Sequence, residues 1–110
     1  MKLPNRATRL KIYIDEGDKH KGKPIYEMIV MKAREKCLAG ATVTKGILSF
    51  GRSSRLHSSK VLRLSEDLPI IIDIVDEKEK LHEFLKEIEP LLESVGGLVT
   101  FEDAEVHSYR

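Results

Sequence analysis

Apolar and polar positions alternate near the start of the chain, where Leu10, Ile12 and Ile14 are separated by Lys11 and Tyr13. A period of two over residues 9–15 predicts a strand with one buried face. Asp15-Glu16-Gly17-Asp18 breaks it, and a loop of turn formers runs from His20 to Pro24. The period then changes. Ile25, Met28, Ile29, Ala33 and Cys37 recur at helical spacing, which predicts a helix from Ile25 to about Leu38. Pro24 suits its first turn, and Gly40 suits a left-handed cap at its end. Thr42, Val43 and Thr44 are β-branched and stiff at χ1, so a second strand should start at Ala41. Its alternation flips parity at Gly46, as a β-bulge would cause.

From Arg52 to Lys60 the chain is polar and has no sustained period, which predicts an exposed, mobile loop at about 52–60. Val61 to Leu64 could form the returning arm of a hairpin. Leu68 to Asp76 is the clearest strand, with Ile70, Ile72 and Ile74 on one face and Ile71, Asp73 and Val75 on the other. Asp76 followed by Glu79 reads as a capping box. Leu81, Phe84, Leu85, Ile88 and Leu92 then define a second helix, which Pro90 should end or bend. Gly96-Gly97 reads as a turn before a last strand from Leu98 to about Tyr109.

The order is β-α-β-β-α-β within 110 residues. It predicts one domain spanning 1–110, of the α+β, ferredoxin-like class: an antiparallel sheet with two helices on one face. The helix-free face would carry Lys11, Tyr13 and several apolar groups, and an oligomer is the natural way to cover them.

Composition narrows the functions this fold could serve. Hydrophobic residues make up 41% and charged residues 34%, with a net charge of +1. That balance suits a globular domain with a charged surface and argues against nucleic acid as a partner, which calls for a basic stripe. Glutamine is absent and Asn5 is the lone asparagine, against many Lys and Glu, a bias seen in thermophile proteins. Cys37 is the single cysteine, so an intrachain disulfide is excluded, and its place in the helix suggests a small buried hydrophobe. No run of 18 apolar residues occurs and Met1–Arg6 has no apolar leader, so we expect neither membrane insertion nor secretion, and a cytoplasmic location.

No catalytic constellation emerges. His20, His57, His82 and His107 have no spacing that forms a metal site, and His82 falls on the charged face of the second helix. Asp15, Glu16 and Asp18 read as a solvated turn, and no glycine-flanked serine nucleophile is present. The expectation is a non-enzyme with no metal and no required cofactor. Two stretches could hold an anion. In Gly40–Arg52 and the loop beyond it, glycine backbone lets phosphate approach and Arg52, Arg55 and Lys60 supply charged donors. Gly96-Gly97, with Arg110, is the second.

Gly40-Ala41-Thr42-Val43-Thr44, followed by Phe50-Gly51-Arg52, resembles the strand of PII (GlnB-like) signalling proteins that reads Gly-x-Thr-Val-Thr and then Gly-Phe-Gly-Arg. The polar loop after it sits where PII proteins carry the T-loop that contacts target proteins. Over nearly its full length, and in His20–Glu27 and Gly40–Val43 above all, the chain resembles the uncharacterised PII-like domain-of-unknown-function 190 family. The resemblance implies a homotrimer with an adenine-nucleotide site in the clefts between subunits. It implies nucleotide-binding roles for Thr42, Gly51, Arg52, Gly96, Gly97 and Arg110, and a partner-contact loop bearing Arg55, His57 and Lys60. It further implies an unidentified target protein, with a membrane transporter as the lead. Ser49 replaces a motif glycine, the phosphate loop lacks a lysine, and Ser108 replaces one of two late arginines. Each lost charge-assisted hydrogen bond is worth about 1.5–3 kcal/mol, so ADP or AMP is expected over ATP with magnesium.

Three other readings fit less well. An acylphosphatase-like enzyme needs an arginine in a glycine-rich loop after the first strand, and that loop is acidic here. An RNA-binding sheet needs stacked aromatics on its central strands, and the three Phe and three Tyr are scattered. A trimeric divalent-metal tolerance-type protein of related fold needs a ligand cluster, and the sequence offers none.

Overall fold

The computed structural model describes residues 5–50, 57–58 and 68–109. In order they form strand β1 (Arg6–Asp15), a small hairpin of β2 (Lys19–His20) and β3 (Lys23–Pro24), and helix α1 (Ile25–Glu35). Strands β4 (Thr42–Lys45), β5 (Leu48–Ser49), β6 (His57–Ser58) and β7 (Pro69–Asp76) follow, then helix α2 (Lys78–Val95) and strand β8 (Leu98–Glu105). Four strands make one antiparallel sheet in the order β4-β7-β1-β8. This is the ferredoxin-like arrangement that the element order predicts.

The core lies where the two periods meet. Leu10, Ile12 and Ile14 of β1 and Ile70, Ile72 and Ile74 of β7 pack against Ile25, Ile29 and Ala33 of α1. Leu81, Phe84, Ile88 and Leu92 of α2 complete it. Full burial of such side chains contributes about 1.5–3 kcal/mol each, so these face assignments dominate the fold. Their neighbours on β1 and β7, including Arg9, Lys11, Tyr13, Ile71, Asp73 and Val75, are half-buried on the helix-free face.

Several local expectations need correction. Residues 19–24 are a β-hairpin, not a simple loop: Lys21 and Gly22 have φ of 51° and 80°, the pair of positive angles that a two-residue type I′ turn requires. Pro24 is the extended N-cap of α1 rather than its first helical residue. The helix ends at Glu35, and Cys37, not Gly40, takes the left-handed position, with φ of 58°. Cys37 N–H donates to Arg34 O and Leu38 N–H to Ala33 O, both at 3.1 Å. That is a Schellman closure, stabilised as Leu38 packs on the core beside Ala33. Cys37 is therefore exposed and not a core residue.

Asp76 does not form a capping box either. The N-cap of α2 is Glu77, without a side-chain cap bond. Asp76 is 1% exposed, and its carboxylate accepts from Ala39 N–H at 2.8 Å and Glu77 N–H at 2.6 Å. It ties the α1–β4 connection to the end of β7. Pro90 lies inside α2, which continues to Val95; Pro90 is on the exposed side, where water can reach the carbonyl it leaves unpaired. The last strand stops at Glu105 rather than near Tyr109. His82 stacks on Phe101, with ring centroids 4.3 Å apart and planes 8° from parallel, so it covers the core edge instead of standing free in solvent.

Gly46 is the point where the chain leaves the sheet. Its N–H donates to Pro69 O at 2.8 Å, and a Cβ there would lie 2.7 Å from Pro69 Cγ. Beyond it the chain pairs with a different partner, Leu48 opposite Ser58 and Ser49 opposite His57. The parity flip thus marks a change of sheet, and the hairpin returns at residues 57–58. The arm expected at Val61–Leu64 lies outside the described residues.

Candidate functional site

Thr42 and Thr44 sit on β4, an edge strand, and face away from the helices. The register fixes this: Thr42 is opposite Asp73 and Thr44 opposite Ile71, both on the helix-free face of β7. Asp73 is opposite Lys11 on β1, and Arg9 lies two residues along that strand. Side chains two residues apart on a strand share a face, so Arg9 reaches Asp73 diagonally. Its Nε–H donates to Asp73 Oδ1 at 2.8 Å and Oδ2 at 3.1 Å, and its Nη2–H to Oδ2 at 2.5 Å. This bidentate contact holds the Asp73 carboxyl below the usual carboxylate range, against the opposing effect of partial burial. It also raises the Arg9 guanidinium above its ordinary value.

An open depression of about 460 Å³ lies against this pair. Val75 and residues 39–41 line it, with Thr42, Thr44, Arg9 and Asp73 supplying the polar groups. Asp76 anchors the 39–41 wall through Ala39. The pairing of Arg9 with Asp73 escapes a reading of the sequence, because both look like ordinary solvent-facing positions until the strand register is known. The one available signal is opposite charge at outward positions of two central strands.

The two glycines expected in the site lie elsewhere in the chain's fold. Gly96 has φ of 72° and caps α2. Gly97 packs so closely that a Cβ would lie 3.0 Å from Ile14 Cγ2 and 3.2 Å from Leu92 Cδ2. Both glycines therefore have a structural role. They precede β8, the opposite edge of the sheet from β4. With neighbouring strands about 4.8 Å apart, the two edges are about 14 Å apart. Thr42 and Gly97 are thus not brought together within one chain. His57 contributes to β6 through its backbone, while Gly51, Arg52, Arg55, Lys60 and Arg110 lie outside the described residues.

A second groove, of about 520 Å³, runs between α1 and α2 past Met28, Met31 and Leu91, and contains none of the expected residues. Among the described residues, no group of three His, Cys, Asp or Glu side chains could hold a metal ion. No described helix is long and apolar enough to cross a membrane.

The sequence profile of the DUF190 family (Uncharacterized ACR) matches residues 7–106. The chain belongs to the DUF190 family. It is 37% identical over 97 residues to a UPF0166 protein of Aquifex aeolicus, covering 88% of this chain and 90% of that one. It is 34% identical over 102 residues to a UPF0166 protein of Methanocaldococcus jannaschii, covering 93% of each. Among solved structures it is similar to CPII, a nitrogen regulatory PII-like protein from Thiomonas intermedia K12 bound to ADP, AMP and bicarbonate. That likeness has a TM-score of 0.71 and 18% identity, and covers 92% of this chain and 88% of CPII. The fold of this DUF190 chain is therefore the PII-like one, and the depression beside Thr42 lies on the segment that carries the PII-like motif.

Proposed function

We propose that this DUF190 chain is a non-enzymatic regulatory protein that binds ADP or AMP in clefts between the subunits of a homotrimer. The observation that carries the reading is the disposition of Thr42 and Gly97. They stand on opposite edges of one sheet, so a site using both requires a second copy of the chain. The helix-free face supports association, since half-buried Tyr13, Ile71 and Val75 occupy it beside the charged pairs. CPII, which shares the fold, binds ADP and AMP, and this supports an adenine nucleotide as the ligand class. Residues 52–60, which follow the strand of Thr42 in sequence, report the bound state to a target protein in the cytoplasm. Arg52 is the residue assigned to the phosphate.

Calorimetry with AMP, ADP and ATP tests the reading, with ADP or AMP expected to bind more tightly than ATP with magnesium. The variant Arg52→Ala should weaken ADP about ten- to a hundredfold, the effect of one charge-assisted hydrogen bond, and adenosine much less. Equal weakening of the two would contradict the phosphate role. An absence of binding by all three nucleotides at millimolar concentration would remove the sensor reading.

A further inference from the structure

The depression beside Thr42 carries no net charge. Arg9 and Asp73 are its charged residues and neutralise one another, and the rest of the lining is threonine, glycine, alanine and valine. A phosphate gains little in such a place, because the arginine's charge is already compensated by a carboxylate 2.5–3.1 Å away. The pair still offers hydrogen bonds of both kinds. The bidentate contact uses Nε and one edge of Nη2, leaving Nη1 and the outer Nη2 hydrogen as donors. The Asp73 oxygens keep acceptor capacity beyond that contact, and the Thr42 and Thr44 hydroxyls add donors and acceptors. Val75 and Ala41 provide an apolar surface beside them. Donors, acceptors and a small apolar wall without net charge complement a group that is uncharged, polar and partly flat.

We propose that the Arg9–Asp73 pair contacts the uncharged nucleoside part of the ligand, with Asp73 positioning Arg9, and takes no part in holding phosphate. The inference rests on the nucleotide reading above and assigns Arg9, Asp73 and Thr44 to that site. It also divides the labour: Arg52 acts on phosphate, and Arg9 acts on what every adenine ligand shares. Asp73 has a second duty, which is to prevent Arg9 from attracting phosphates or other free anions into the depression.

Titrations of adenosine, AMP and ADP into the full chain and into Arg9→Met test this, with the oligomeric mass of each measured by light scattering. The variant should weaken all three ligands by the same factor, about tenfold, as expected for one hydrogen bond from a charged group. Its mass should be unchanged. A loss that grows from adenosine to ADP would overturn the inference by making Arg9 a phosphate contact. Unchanged affinity for all three would overturn it by removing the pair from the site. A fall in mass would overturn it by making the pair a contact between subunits. If Arg9→Met does not fold, Asp73→Asn replaces it: freed of its carboxylate partner, Arg9 should strengthen ADP relative to adenosine, and a constant ratio would overturn the inference. Failure of the unaltered chain to bind any of the three would instead defeat the underlying nucleotide reading.

Discussion

Replacing Asp76 with alanine should be among the most damaging single changes outside the apolar core. Its carboxylate is 1% exposed and accepts two backbone N–H groups, from Ala39 and Glu77. Hydrogen bonds to a charged group contribute about 1.5–3 kcal/mol each. Ala39 and Glu77 are themselves exposed, so water can recover part of the loss at both donors, and removal of a buried charge relieves some desolvation. A net destabilisation of about 2–4 kcal/mol remains, a large share of the 5–15 kcal/mol typical of a domain. Urea unfolding followed by far-UV circular dichroism, at one fixed protein concentration, would measure it. Lys80→Ala is the control, since Lys80 makes only a 3.4 Å exposed pair with Glu77, of a kind worth about 0–1 kcal/mol. If Asp76→Ala loses no more than that control, the claim that Asp76 fastens the α1–β4 connection is wrong.

Two further perturbations test local features of the fold. Cys37→Gly should raise stability by about 0.5–1 kcal/mol, because a non-glycine residue at φ of 58° is strained and the Cys37 side chain is exposed, with one long thiol contact to Glu35 O; a loss in the same urea assay would contradict the left-handed assignment. The Arg9–Asp73 contact should confer a pH dependence. Asp73 has a lowered pKa in the folded chain, so its stabilising contribution is complete above the ordinary carboxylate value of about 4 and is lost as pH falls through the depressed value. The stability difference between the unaltered chain and Asp73→Asn should therefore hold at neutral pH and shrink under acid conditions. A difference of the same size at pH 7 and pH 2.5 would contradict the contact.

The strands and helices were legible in the sequence because burial follows periodicity. Ile70, Ile72 and Ile74 cannot face water without exposing three large side chains, and Leu81, Phe84, Ile88 and Leu92 fit one helical stripe. Boundaries and caps were less legible, since they depend on competition between nearby groups. Gly40 has the residue type of a left-handed cap, yet Cys37 occupies that conformation because Leu38 must reach the core. Asp76 and Glu79 have the spacing of a capping box, yet the carboxylate is drawn to Ala39, a residue distant in sequence. The candidate site was legible in part. Thr42 follows from its motif, whereas the Arg9–Asp73 pair depends on the diagonal register of β1 and β7, which no local pattern records. Gly96 and Gly97 read in the sequence as a turn and a phosphate-binding pair, whereas within the chain the helix cap and the contacts with Ile14 and Leu92 account for them.

The central claim is an adenine-nucleotide site that exists only between copies of the chain. Its most direct test is an ADP titration by calorimetry on a sample whose mass is measured in parallel by light scattering. The account predicts a particle of three times the mass of the 110-residue chain that binds one ADP per chain. Binding by a particle of single-chain mass, or a trimer that takes up no ADP or AMP at millimolar concentration, would contradict it.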